Sequence, residues 1–304
     1  MPVSRNKNLK IVALFVLVLV VLSLMAWGNL FGFFSETEPE SAAISGTREA
    51  SQTPVSTIHD SHQSTATGSA PDYSLGESQD LRHEVADLEA KAAAGSVIAR
   101  RRLAMIYGAC FGYSLDPDAH FAMIDAFAAH SGGHRQPFES LKSRTDQRCL
   151  GANGGKPISI DEIRHLMESA AQGGDLVAQI DVETHSIEPI KAEKMEELIA
   201  QVISSRDPDA MLAMSSLARK GIDGSLDMPY SMLVGDPISE AAWAIAGCQA
   251  GANCGPGSIV LDSICTGTGA CGYTSYEMFL RQHMVPPGEV SRLNEYLLLI
   301  LNGP

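Results

Sequence analysis

Leu88-Glu89-Ala90-Lys91-Ala92-Ala93-Ala94-Gly95-Ser96-Val97-Ile98-Ala99-Arg100-Arg101-Arg102-Leu103-Ala104-Met105-Ile106-Tyr107-Gly108 carries two apolar stripes separated by one turn. Before Gly95, Leu88 and Ala92 continue a stripe begun at Leu81 and Val85. After it, Ala99, Leu103, Ile106 and Cys110 recur at steps of three and four, the period of a helix with one buried face. The small residues from Ala92 to Gly95 let two antiparallel helices approach closely at their junction. The stretch therefore predicts a helix–turn–helix pair.

Working outward, the same period returns in Ile163, Leu166, Met167 and Ala170, in Met195, Leu198, Ile199 and Val202, and in Val290, Leu293, Leu297 and Ile300. No convincing period-two alternation interrupts it. Asp116-Pro117, Asp207-Pro208 and Asp236-Pro237 each set a capping carboxylate before a proline suited to the first helical position. Ser159 with Glu162, and Thr274 with Glu277, have capping-box spacing. An all-α body of about ten helices, of roughly 9 to 17 residues each, is predicted beyond residue 80.

Two further segments echo the first: Leu166-x3-Ala170-Ala171-Gln172-Gly173-Gly174-x3-Ala178, and Leu198-x5-Ser204 followed by Asp207-Pro208-Asp209-Ala210-x3-Met214 and Gly221. Over residues 81–221 this pattern resembles Sel1-like repeats, relatives of the tetratricopeptide helical-pair family. The resemblance implies a curved stack of helical pairs that presents a surface to other proteins and carries no catalytic residues, hence an adaptor. The repeat spacing is uneven, and the second unit lacks the Leu-Ala-x2-Tyr-Gly continuation, so degenerate pairs are expected in place of a regular solenoid. Residues 222–304 form a separate, cysteine-containing helical part.

Toward the N-terminus, Ile11 to Phe34 is free of charge and broken by polar groups only at Ser23 and Asn29. As a helix it reaches about 36 Å, enough to cross a hydrocarbon core of about 30 Å. Arg5, Lys7 and Lys10 precede it, which places residues 1–10 in the cytoplasm by the positive-inside rule. A cleaved signal peptide ending near Ala26-Trp27-Gly28 is the competing reading, against which the apolar run continues through Leu30 to Phe34. Either way the rest is exported, and a single-pass bacterial inner-membrane protein with a periplasmic C-terminal body is expected. Trp27 reads as an interfacial anchor and Trp243 as a core residue. Ser and Thr make up 16 of the 46 residues from Ser35 to Asp80, with few large apolar side chains, so this segment reads as a disordered tether containing His59 and His62.

All six cysteines, Cys110, Cys149, Cys248, Cys254, Cys265 and Cys271, lie beyond the membrane segment. An even count on the exported side suggests disulfides, although six cysteines allow fifteen pairings. Local closure predicts Cys248–Cys254 and Cys265–Cys271, leaving Cys110–Cys149; free buried thiols are the alternative. C-x5-C spacing does not suit zinc, which favours C-x2–4-C. The formal net charge of −14 opposes nucleic-acid binding.

Chemistry-bearing motifs are sparse. Gly267-Thr268-Gly269-Ala270-Cys271-Gly272 matches G-x-G-x-x-G, but a dinucleotide site needs it between a strand and a helix. A disulfide-closed loop accounts for these glycines better. His130-Ser131-Gly132-Gly133-His134 has H-x3-H spacing, and His120, after Asp116 and Asp118, is a third candidate ligand. The adjacent glycines favour exposed turn histidines and a capping Asp116 over a metal site. Glu162, Glu168, Asp175 and Glu183 are available to a glycan-cleaving site, which needs two carboxylates across one cleft, but they also suit caps and solvated faces. No G-x-S-x-G is present. The sequence therefore predicts no catalytic, cofactor or metal residues. It predicts a membrane-anchored envelope scaffold that contacts the membrane through residues 11–34 and an unidentified envelope protein through its helical surface. A tethered glycan hydrolase is the alternative.

Overall fold

The computed structural model describes residues 81–303. The expected cytoplasmic segment 1–10, membrane helix 11–34 and linker 35–80 lie outside the described residues. No helix among the described residues is long and apolar enough to cross a membrane.

Among the described residues twelve α-helices follow one another: α1 (Leu81–Ala93), α2 (Val97–Leu115), α3 (Pro117–Ala129), α4 (Gln136–Cys149), α5 (Ile160–Gln172), α6 (Leu176–His185), α7 (Ala192–Ser205), α8 (Pro208–Leu217), α9 (Pro237–Ala250), α10 (Ile259–Thr268), α11 (Tyr276–His283) and α12 (Val290–Asn302). The all-α body is thus built from slightly more helices than expected. They run from 8 to 19 residues, because α11 is short and α2 passes unbroken through Gly108 and Gly112. One feature escaped the sequence: β1 (Ile190–Lys191) pairs in parallel with β2 (Ile222–Asp223), in the register Ile190 to Ile222. Two residues per strand are too few for any alternation to register.

The caps explain where the helices begin. Asp116, Asp207 and Asp236 accept from the backbone N–H groups of the first turns of α3, α8 and α9, each with proline at the helix start. Ser159 accepts from Glu162 N at 3.0 Å. At α11 the expected cap is displaced by one residue. Ser275, extended at φ −158°, accepts from Met278 N at 3.1 Å, while Thr274 Oγ1 lies beside Met278 Sδ.

The three echoing segments fall on α1–α2, α5–α6 and α7–α8. In each, a polar cap accepts from the N–H of a buried alanine three residues on: Ser96 from Ala99, Asp175 from Ala178, and Asp207 from Ala210. With no bulk beyond Cβ at these turns, neighbouring helices pack closely. One close crossing is α8 on α9, where a Cβ at Gly247 would lie 2.7 Å from Leu212 N. The largest core gathers around the fully buried Trp243, whose Nε1–H donates to Leu233 O at 2.8 Å. A second core joins α1, α2 and α4 around Cys110 and Cys149.

Three disulfides link the same pairs that local closure predicts. Cys110–Cys149 ties the middle of α2 to the end of α4, with Cα atoms 5.3 Å apart. Cys248–Cys254 and Cys265–Cys271 close the loops after α9 and α10, with Cα separations of 5.6 Å and 4.6 Å. Gly269, at φ 75°, ends α10 in the left-handed region that favours glycine. The G-x-G-x-x-G run is therefore a helix end inside a disulfide loop, with no strand before it.

Candidate functional site

The long helix α2 organises the surface because its faces serve different neighbours. One stripe, Arg101, Met105, Gly108 and Gly112, runs along a row of three cavities. The first, about 260 Å³, is bounded by α8, α10 and α11 beside Arg101 and Met105. The second, about 300 Å³, lies among α2, α3, α4 and α10 over Gly108 and Gly112. The third, about 550 Å³, lies among α2, α5 and α6. Ile259 lines the first and second, while Gly108 and Phe111 line the second and third. A Cβ at Gly108 would meet nothing within 4 Å, so the helix presents bare backbone as the floor.

The third cavity is the apolar one. Phe111, Ile160, Ile163, Met167 and Val182 line it, and Ile160 is 65% exposed although it opens α5. Arg164, Glu168, Asp181 and His185 edge it with charge of both signs. Burial pushes the Asp181 carboxyl above its ordinary range, and His185, 3.4 Å away, draws it back. Such a mixture of apolar floor and polar rim suits a segment of polypeptide.

The second cavity is more polar. Asp262 on α10 takes two guanidinium groups from α4, those of Arg144 and Arg148. His120, on α3, lines the same space. It is not the exposed turn residue that the sequence suggested: its ring packs edge-on to Tyr113 at 6.2 Å, and its buried Nε2 has no hydrogen-bond partner. Burial lowers its pKa, so the imidazole stays neutral. The helical spacing missed this because Gly112 on α2 leaves the room that the ring fills; a Cβ there would lie 3.2 Å from His120 Nδ1.

A different stripe of α2, Arg100, Leu103 and Tyr107, faces a polar cleft of about 590 Å³ shared with α1 and α5. Glu89 Oε1 accepts from Tyr107 OH at 2.7 Å and from Asn153 N at 3.2 Å, and Asn153 Nδ2 donates to Glu162 Oε2 at 3.3 Å. Burial, and then the Glu89 carboxylate, push the Tyr107 phenol well above its usual range.

The carboxylates named from the sequence are thus scattered. Glu162 lies at the polar cleft, Glu168 at the apolar cavity, and Asp175 caps α6 and pairs with Arg101; Glu183 lines none of these spaces. Glu89, the companion of Glu162, was not among them, nor were Arg144, Arg148 and Asp262. The spacing of Arg144 and Arg148, one helical turn apart, was the available signal. His130 and His134 are exposed, His130 at the end of α3. Among the described residues no group of three or more His, Cys, Asp or Glu is placed to hold a metal. Comparison with known protein families, curated proteins and solved structures finds no match.

Proposed function

We propose that this chain is a membrane-anchored scaffold of the bacterial cell envelope, held by residues 11–34 with its N-terminus in the cytoplasm and its body in the periplasm. Its groove over α2 receives a segment of a partner protein. The observation that carries this reading is the apolar third cavity with Ile160 open to solvent, in a row along α2 with two further cavities that share lining residues with their neighbours. The three disulfides support export. The matching cap-and-alanine geometry of α1–α2, α5–α6 and α7–α8 supports a degenerate Sel1-like stack.

A tethered glycan hydrolase draws on one observation, the joint bonding of Asn153 to Glu89 and Glu162. Yet Glu89 Oε1 already accepts from Tyr107 and from Asn153, which fits a structural acceptor better than a proton donor. The scaffold reading is the stronger.

A photocrosslinking residue at Ile160 should capture a specific partner in cells, while one at exposed Leu298 on α12 should not. Gly108→Trp, which fills the groove floor, should abolish the Ile160 product. Equal capture at both positions would sink the reading. Protease added to spheroplasts should remove the body and leave a membrane stub; a protected body would overturn the topology.

A further inference from the structure

We propose that the second cavity, among α2, α3, α4 and α10, binds a monoanionic carboxylate carrying a short apolar group. Asp262, 5% exposed, is held by Arg144 through Nε at 3.2 Å and Nη2 at 2.6 Å, and by Arg148 through Nη1 at 3.0 Å. Among the described residues no second carboxylate pairs with either arginine. Two cations therefore share one anion. Arg144 is a third exposed, so water screens its share of the charge. Arg148 is 8% exposed, and its Nη2 donates only to the neutral Gly257 O at 2.9 Å.

A buried charge without a full counter-charge is disfavoured, and the guanidinium fork is matched to carboxylates. Arg148 and Asp262 both line the cavity, and the Asp262 oxygens are engaged by Arg144 and Arg148, so an anion entering it would meet the net positive charge of the three groups. The surplus is one unit, which fits a monoanion; a phosphate dianion would bring uncompensated charge beside Asp262. Thr145, 6% exposed, and Ser263 add hydroxyls to the wall, while Phe111, Met123 and Ile259 supply apolar surface. A carboxylate with a small branched tail satisfies both parts.

That chemistry has two sources, a free short-chain acid or the carboxyl end of a protein whose last side chain is apolar. Only the second rests on the groove reading. The test uses the full-length chain in detergent, titrated calorimetrically with 4-methylpentanoate and with N-acetyl-leucine, each beside its primary amide. Both acids should bind saturably and both amides at least about tenfold more weakly, since charge-assisted bonds are lost. Tighter binding of N-acetyl-leucine assigns the site to a chain end; tighter or equal binding of 4-methylpentanoate assigns it to a free acid. Amides that match their acids, or no saturable binding of either acid, would overturn the proposal.

Arg148→Gln should abolish binding. Because Arg148 also holds Asp262, Ser263→Trp provides a variant outside the ion pairs. Ser263 is exposed and lines the cavity, so the indole should block it without disturbing the thermal melt. Undiminished acid binding by a folded Ser263→Trp protein would also sink the assignment. Acid binding that persists when Ile160 captures no partner removes the scaffold reading and leaves the carboxylate site standing.

Discussion

Arg101 donates from Nε to Asp175 Oδ2 at 3.1 Å, and Asp175 is the residue that starts α6 by accepting from Ala178 N. The same guanidinium donates from Nη1 to Asp209 Oδ2 at 3.3 Å in the first turn of α8. One buried arginine on α2, 3% exposed, thereby fixes the starts of two later helices. Burial raises the pKa of Asp209 despite the pull of Arg101, so this network holds Asp209 at a desolvation cost.

Replacing Arg101 with Met should leave Asp175 and Asp209 without the guanidinium that bonds them both. A loss of about 3–5 kcal/mol is expected, as for a broken buried ion pair. Urea unfolding of the full chain measures it, and a loss below about 1 kcal/mol would show that solvent already compensates the site.

Two helical glycines should respond with opposite signs. Gly247→Ala puts a Cβ 2.7 Å from Leu212 N and 2.9 Å from Pro208 O, backbone atoms that cannot step aside, and should destabilise by roughly 1–3 kcal/mol. Gly108→Ala meets nothing within 4 Å and should stabilise by up to about 1 kcal/mol through helix propensity. Thermal melts of the pair decide whether the α8–α9 crossing is as close as described.

Ala178→Leu should overpack the turn between α5 and α6, costing roughly 1–3 kcal/mol. Ala178 is fully buried and lines none of the cavities described, so any fall in photocrosslinking at Ile160 would arise from a shifted helical pair. Ile187→Ser, at a fully exposed side chain, serves as the neutral control, within about 0.5 kcal/mol. A thermally silent Ala178→Leu would refute the close packing.

The disulfides should rank by loop length. Replacing Cys110 and Cys149 together with Ser opens the longest loop, of sequence separation 39, and should cost about 4 kcal/mol on chain-entropy scaling. Opening either short loop, of separation 6, should cost about 2 kcal/mol on the same scaling. Comparing denaturation midpoints of the three double variants tests the order.

Acid should weaken the fold through His120. Its folded pKa lies below 6.5 because burial disfavours the imidazolium. Above pH 6.5 both folded and unfolded chains hold it neutral, and its contribution is complete. As pH falls below 6.5 the unfolded chain takes up the proton first, and stability drops until the folded pKa is passed. His120→Phe keeps the ring against Tyr113 and should flatten this part of the stability profile between pH 7 and pH 5. An unchanged slope would place the titration elsewhere.

Local signals determined much of this protein from the sequence alone. The Asp-Pro pairs at 116–117, 207–208 and 236–237 mark helix starts because capping and proline geometry act within three or four residues. The stripes through Leu103, Leu198 and Leu293 mark the buried faces because the helical period is built into the backbone. Cysteine pairing was legible where the partners lie six residues apart. The groove was not. Arg148 and Asp262 stand 114 residues apart, Arg101 and Asp209 stand 108 apart, and nothing local to either partner indicates the other. Glu89 and Glu162 share Asn153 only because the loop after α4 returns to α1. Which charges meet, and which cavity Gly108 leaves open, depends on how α2 packs against α3, α4, α5 and α10. Helix periodicity fixes the face that each helix buries, but the neighbour that covers it is chosen by contacts between distant parts of the chain.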